Sequence, residues 1–96
     1  MKGCDTRGFL SLNLLWLLSK RSMYGQELAK EIEKRRGKKP QPGALYPALK
    51  ALEKKALVKR KEEKNNGVKY ELTAKGKRAL KEAVSYFRKA FSEIMA

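Results

Sequence analysis

The side chains able to do chemistry in this 96-residue chain are overwhelmingly cations. Lys and Arg number 24 against 10 Asp and Glu, there is no His, and the only Cys is Cys4. Without His, a Ser–His–Asp triad, a Cys–His pair and a His-ligated metal are all excluded. One thiol excludes an intrachain disulfide, fits a reducing cytoplasm and, with no base beside it, reads as inert. Glu62 and Glu63 are adjacent in a predicted strand, where side chains alternate between faces, so they make no acid–base pair. No glycine-rich phosphate loop is present. These residues predict no catalytic site, no metal and no cofactor. What remains is the binding of anions.

The cations are unevenly placed. Residues 1–33 hold five basic and four acidic side chains, residues 34–81 hold 17 and four, and residues 82–96 hold two of each. A basic middle between near-neutral ends is the footprint of a polyanion partner, because neutralising phosphates releases condensed counterions. Solubility alone would not confine the excess to one half of the chain. The longest apolar stretch, Leu10 to Leu18, is broken by Ser11 and Asn13 and falls well short of the ~20 residues that cross a bilayer. The chain also lacks the pattern of a secretory signal.

The elements that must carry these cations follow from periodicity. Arg7 to Ser19 reads as a helix with Leu10, Leu14, Leu17 and Leu18 on one face. Phe9, Leu12 and Trp16 lie on roughly the opposite side, so the helix expects two covers, its own core and a second chain. Met23 to Arg36 reads as a second helix, with Tyr24, Leu28 and Ile32 in line and Gly25 and Ala29 beside them. Arg35 and Arg36 suit its carboxyl end and Gly37 suits its stop. A basic connector with Lys38 and Lys39 leads to a third helix, Pro42 to Lys55. Its buried stripe is Leu45, Leu49, Leu52 and Ala56; Gly43, Tyr46, Pro47, Lys50 and Lys54 lie opposite. Leu57 to Glu62 and Val68 to Leu72 read as two strands around an Asn65-Asn66-Gly67 turn, and Thr73 caps a last helix, Ala74 to Met95.

Three helices, a basic hairpin and a further helix is the order of a winged helix-turn-helix, mainly α with a small β wing, whose third helix enters the major groove. On that plan residues 1–72 form the DNA-binding domain and residues 73–96 a dimerisation helix. The nucleic-acid face comprises Lys38, Lys39, Gly43, Ala44, Tyr46, Pro47 and Lys50, with Lys64, Asn65, Asn66 and Lys69 around the wing tip. Lys54, too far from the helix start to read bases, is left to phosphate or water. Leu80, Val84, Phe87, Phe91 and Ile94 have the 4, 3, 4, 3 spacing of a heptad seam. Two heptads alone are marginal, so the seam needs Phe9, Leu12 and Trp16 as its partner surface.

Particular strings carry a resemblance. Met23-Tyr24-Gly25-Gln26-Glu27-Leu28, Pro42-Gly43-Ala44-Leu45-Tyr46-Pro47-Ala48-Leu49-Lys50, Leu52-Glu53 with Leu57-Val58, and Lys69-Tyr70-Glu71-Leu72-Thr73-Ala74-Lys75-Gly76 together resemble the PadR-like family of transcription regulators. The resemblance spans most of residues 9–80. It implies a dimeric DNA-binding repressor whose last helix makes the dimer. Ala44 stands where Thr is common in the family, Gln26 where an aromatic is common, and Ala56 where Gly is common. The last helix is short, so the larger effector-binding domain of some members is expected to be absent; a small effector held between subunits by Trp16 and the aromatic last helix is the alternative to ordinary dimer packing, which is the preferred reading. The partners expected are double-stranded DNA and a second copy of the chain. The rival readings are a non-specific architectural DNA-binding protein and a winged-helix module for RNA or protein.

If the partner is a polyanion, affinity should fall steeply with salt. With 6–10 phosphate contacts per complex, the binding constant for duplex DNA should drop roughly 10³–10⁵-fold between about 50 and about 200 mM salt. A constant nearly flat over that range would contradict the charge argument.

Overall fold

A computed structural model describes residues 6–64 and 67–96. Their order is α1 (Thr6–Lys20), β1 (Met23–Tyr24), α2 (Gly25–Arg36), α3 (Pro42–Lys54), β2 (Val58–Glu63), β3 (Gly67–Leu72) and α4 (Ala74–Met95). Cys4 and the turn residues Asn65 and Asn66 lie outside the described residues. The sheet is antiparallel in the order β1-β3-β2, so the wing hairpin carries a short third strand. This is the winged helix expected from the element order, and it corrects the start of the second helix. Met23 and Tyr24 pair with Tyr70 and Lys69 of β3 instead of continuing a helix.

The core is built from leucines. Leu14, Leu17, Leu28, Ile32 and Leu49 are fully buried, and no polar or charged side chain is buried among the described residues. Burying each such side chain contributes about 1.5–3 kcal/mol. α1 is the central element, packing against α2, α3, α4 and β3. Its buried face takes in Leu15 as well as the four leucines of the predicted stripe. α2 ends at Gly37, whose N–H still reaches the Glu33 carbonyl at 2.8 Å and whose φ of 74° then turns the chain out of the helix.

α3 ends differently from the expectation. Ala56 is exposed, not part of the buried stripe, and has a φ of 61°. The Ala56 N–H bonds the Glu53 carbonyl at 2.9 Å and the Leu57 N–H bonds the Leu52 carbonyl at 3.0 Å. That pair of bonds is a Schellman stop, which requires a left-handed residue where Ala56 stands. The chain turns there because the carbonyls need donors, and a Cβ in this conformation crowds the backbone.

Directly beyond this stop, α4 is fastened to the same segment. The Thr73 N–H donates to the Leu57 carbonyl at 3.0 Å, and the Thr73 hydroxyl accepts from the Gly76 N–H at 3.0 Å as the N-cap. The Lys75 ammonium donates to the Lys55 carbonyl at 3.0 Å. Gly76 is buried against this turn, and a Cβ there would overlap the Leu57 carbonyl oxygen. Thr73, Lys75 and Gly76 are thus a joint between helices rather than a surface motif.

The left-handed alanine yields a direct test. Ala56→Gly should stabilise the protein by about 0.5–1 kcal/mol, the relief of the Cβ exceeding the entropy that glycine adds to the unfolded chain. At fixed protein concentration the melting midpoint should rise by roughly 2–8 °C. An unchanged or lowered midpoint would mean that Ala56 is not strained.

Candidate nucleic-acid interface

α3 presents an outer face with no acid in its first turn. Gly43, Ala44, Tyr46, Pro47 and Lys50 are all exposed, while Leu45 and Leu49 point into the core. The helix begins with Pro42 at a favoured first position. Pro47 has no N–H to offer the Gly43 carbonyl, so α3 forgoes that bond early in the helix, where the loss is least costly. Lys38 and Lys39 are exposed just ahead of the helix. The predicted residues of α3 and its connector are therefore all exposed, with Lys38 and Lys39 beside Ala44 and Lys39 also beside Tyr46.

Tyr46 is held in a specific way. Its ring lies against α2, with the hydroxyl 2.8 Å from where a Cβ on Gly25 would sit. The ring is still 44% exposed. Only the bare glycine permits this approach, which gives the Tyr-Gly and Leu-Tyr-Pro strings a shared physical reason. Tyr46, Tyr24, Gln26, Lys30, Gly67 and Tyr70 line a cleft of ≈ 480 Å³ between α2, α3 and the wing. The Tyr46 hydroxyl is turned toward α2, and the exposed ring surface faces outward with Lys50.

Behind that surface stands Tyr70 on β3. Burial pushes its hydroxyl pKa up, Arg60 opposes the shift, and Tyr46 and Glu53 add to it. Arg60 on β2 approaches Glu53 on α3 at 4.0 Å and Glu62 at 3.9 Å, loosely linking wing and helix. At the start of α2, Glu27 accepts the Tyr24 N–H at 3.0 Å and pairs with Arg21 at 3.0 Å. The Tyr24 amide, opposed by partial burial and aided by Arg21 and Lys69, holds the Glu27 carboxyl below its ordinary range.

On the wing, register brings like charges together. Lys61 of β2 lies directly opposite Lys69 of β3, and Lys69 is in turn opposite Tyr24 of β1. The Lys69 ammonium is 5.2 Å from the Tyr24 ring centroid. Facing lysines disfavour the sheet unless an anion comes between them. Neither makes an ion pair among the described residues. Lys61, Lys30 and Gln26 were missed in the sequence reading. Lys69 alternates with Val68 and Tyr70 in the sequence, but β2 is charged at every position after Val58, so the pairing of Lys61 with Lys69 needed the register. Lys64 is exposed at the end of the hairpin.

The residues expected at a subunit seam divide in two. Trp16 is half-buried against the chain's own core, with the Lys20 ammonium 4.5 Å and the Arg35 guanidinium 4.7 Å from its ring centroid. Leu80 also packs on that core, and Leu12 is half-buried. Phe9 stacks on Phe87 at 6.3 Å, joining α1 to α4 within one chain. Beyond this contact α4 runs on uncovered: Phe91 is 62% and Ile94 77% exposed, with Val84 at 37%. Leu12, Val84, Phe87 and Phe91 line a groove between the two helices.

Among the described residues no cluster of Cys, Asp or Glu could hold a metal, and no helix is long and apolar enough to cross a membrane. Residues 14–82 match the model of the transcriptional regulator PadR-like family. No curated protein matches the chain in sequence. Among solved structures, H. salinarum RosR is 29% identical with a TM-score of 0.78, over 85% of this chain and 74% of that one. A Thermoplasma acidophilum protein described as a transcriptional regulator is 27% identical with a TM-score of 0.77, over 99% and 96%. A PadR-like transcription factor from Bacteroides fragilis, 23% identical, shares the fold with a TM-score of 0.88 over 97% and 93%.

The contact between Gly25 and Tyr46 predicts a non-additive pair. Gly25→Ala should cost roughly 1–3 kcal/mol by pushing the ring outward. In a Tyr46→Ala background the same change should be neutral or stabilising, because alanine is the better helix former by about 1 kcal/mol. Equal effects in both backgrounds, read from urea unfolding, would refute the contact.

Proposed function

The chain belongs to the PadR-like family of transcriptional regulators, and on that premise we propose that it is a sequence-specific, homodimeric, DNA-binding repressor. DNA-binding regulation is the property of the family. Sequence specificity, the dimer and repression are the finer reading. The single observation that carries it is the pairing of an exposed, acid-free first turn on α3 with an unpartnered aromatic end on α4.

In this reading Lys38 and Lys39 hold the phosphate strand ahead of α3. Gly43, Ala44, Pro47 and the exposed ring of Tyr46 approach base edges with little steric cost, and Lys50 reaches a phosphate or a guanine. Lys64, Lys69 and the opposed Lys61 draw a neighbouring phosphate to the wing, with Asn65 and Asn66 at the tip. Residues 1–72 serve as the reading unit and residues 73–96 as the dimerisation helix. Phe87, Phe91 and Ile94 of one copy meet their counterparts, with Phe9, Leu12 and Val84 alongside, Leu80 closing the inner end and Trp16 at the margin. A two-fold pair then presents two α3 helices about 34 Å apart on one face of the duplex. Occupying such a site excludes other proteins from it, which is repression.

Phe91→Glu tests the reading with least damage to the monomer, since Phe91 makes no aromatic contact within the chain among the described residues. The parent should sediment as a dimer at micromolar concentration and the variant as a monomer. Losing the second half-site should weaken duplex binding by roughly 100-fold or more, since linked sites gain 10²–10⁴ from effective concentration. A monomeric parent, or a variant that stays dimeric, would contradict the proposed dimer.

A further inference from the structure

A second set of cations gathers away from the reading end of α3. No acid occurs from Lys54 to Lys61 or from Leu72 to Lys81. The fold brings these two segments together, because Thr73 donates to Leu57 and Lys75 to Lys55. Lys55, Lys75, Lys77, Arg78 and Lys81 are all exposed, and none makes an ion pair among the described residues.

Part of this has a local reason. Lys55 and Lys75 stand at the carboxyl end of α3, where the helix dipole favours cations. Lys77, Arg78 and Lys81 have no such reason. They sit in the first turns of α4, at the positive end of its dipole, with no acid in the first turn. Lys77 and Lys81 are also one turn apart, a like-charge spacing that disfavours the helix. α2 shows how this chain solvates a helix, by mixed signs: Glu31 pairs with Lys34 at 3.4 Å and Arg35 at 2.8 Å. The start of α4 does the opposite.

Position supplies the partner. Lys55 is about 20 Å along the helix axis from the start of α3, and Lys77 is about 21 Å from Phe91. In the proposed dimer, which this inference rests on, the aromatic ends of α4 meet at the two-fold axis. The joint cations then lie about 21 Å from that axis along α4, toward the outer ends of the assembly. We propose that the cations at the joint of α3 and α4 form a second phosphate-binding surface, which takes the backbone of duplex DNA flanking the operator.

The test compares two duplexes carrying a site selected from a random library. One is trimmed to the protected core and the other is extended by about ten base pairs on each side. At about 0.1 M salt the parent should bind the extended duplex roughly tenfold more tightly. Lys55→Gln/Lys77→Gln/Arg78→Gln should bind the core within about threefold of the parent, because charges beyond a Debye length are screened. It should gain less than about twofold from the flanks, and its salt slope on the extended duplex should flatten by about 0.9 per lost phosphate contact. A parent indifferent to the flanks, a variant that keeps the full gain, or capture of a separate duplex without any gain from flanks would overturn the proposal. A parent that fails to bind the core, or that is monomeric, refutes the dimer reading and removes this proposal with it.

Discussion

The Leu57 carbonyl fixes three elements at once. It follows the Schellman stop of α3, receives the Thr73 amide that opens α4, and lies where a side chain on Gly76 would fall. β2 begins at the next residue. The direction of α3, the root of the wing and the exit of α4 therefore share one peptide group. A backbone carbonyl cannot drift without breaking helix bonds on one side and a cap on the other. This makes the wing and α3 a single rigid surface, and it sets the angle at which the aromatic end of α4 leaves the domain.

Around that joint the energetics separate cleanly. The interior is mainly leucine, with Ile32, Val58, Met23, Ala29 and the buried Tyr70 ring, and no polar or charged side chain is buried among the described residues. All charge is outside, so its arrangement is free to serve binding rather than stability. α2 neutralises itself through exposed pairs, which contribute little to folding. α3, the wing and the first turns of α4 leave cations facing water and each other. Such surfaces are stable in a folded protein only because the core supplies the folding energy, and they gain most when phosphates replace the missing acids.

Much of this was legible in the sequence, and what was not has definite causes. Helical periodicity located α1, α3 and α4, and alternation located β3, because each carries its apolar side chains at a regular spacing. It failed at Met23 and Tyr24, where two residues pair with β3 and no pattern of two can be told from the start of a helix. It placed Ala56 in the leucine stripe because the spacing continues through a position that the chain leaves by a left-handed turn. The outer face of α3 was readable from Lys38 to Lys50. The seat of Tyr46 on Gly25 was not, since it joins residues 21 positions apart across two helices. Lys61 was missed for a similar reason: only the strand register puts it opposite Lys69. Trp16 read as an interface residue by its face, while Lys20 and Arg35 cover its ring within the chain.

In the proposed dimer the aromatic run on α4 ties the domain to its partner, and its exposure rises toward the end of the helix, from 36% at Phe87 to 62% at Phe91 and 77% at Ile94. The central claim is that two rigid units of α3 and wing, joined through α4, bind one face of one duplex. Hydroxyl-radical footprinting on a selected duplex examines this most directly. The account predicts two protected segments centred about ten base pairs apart on the same face, with a less protected gap between them. A single protected segment, or uniform protection along the duplex, would contradict it.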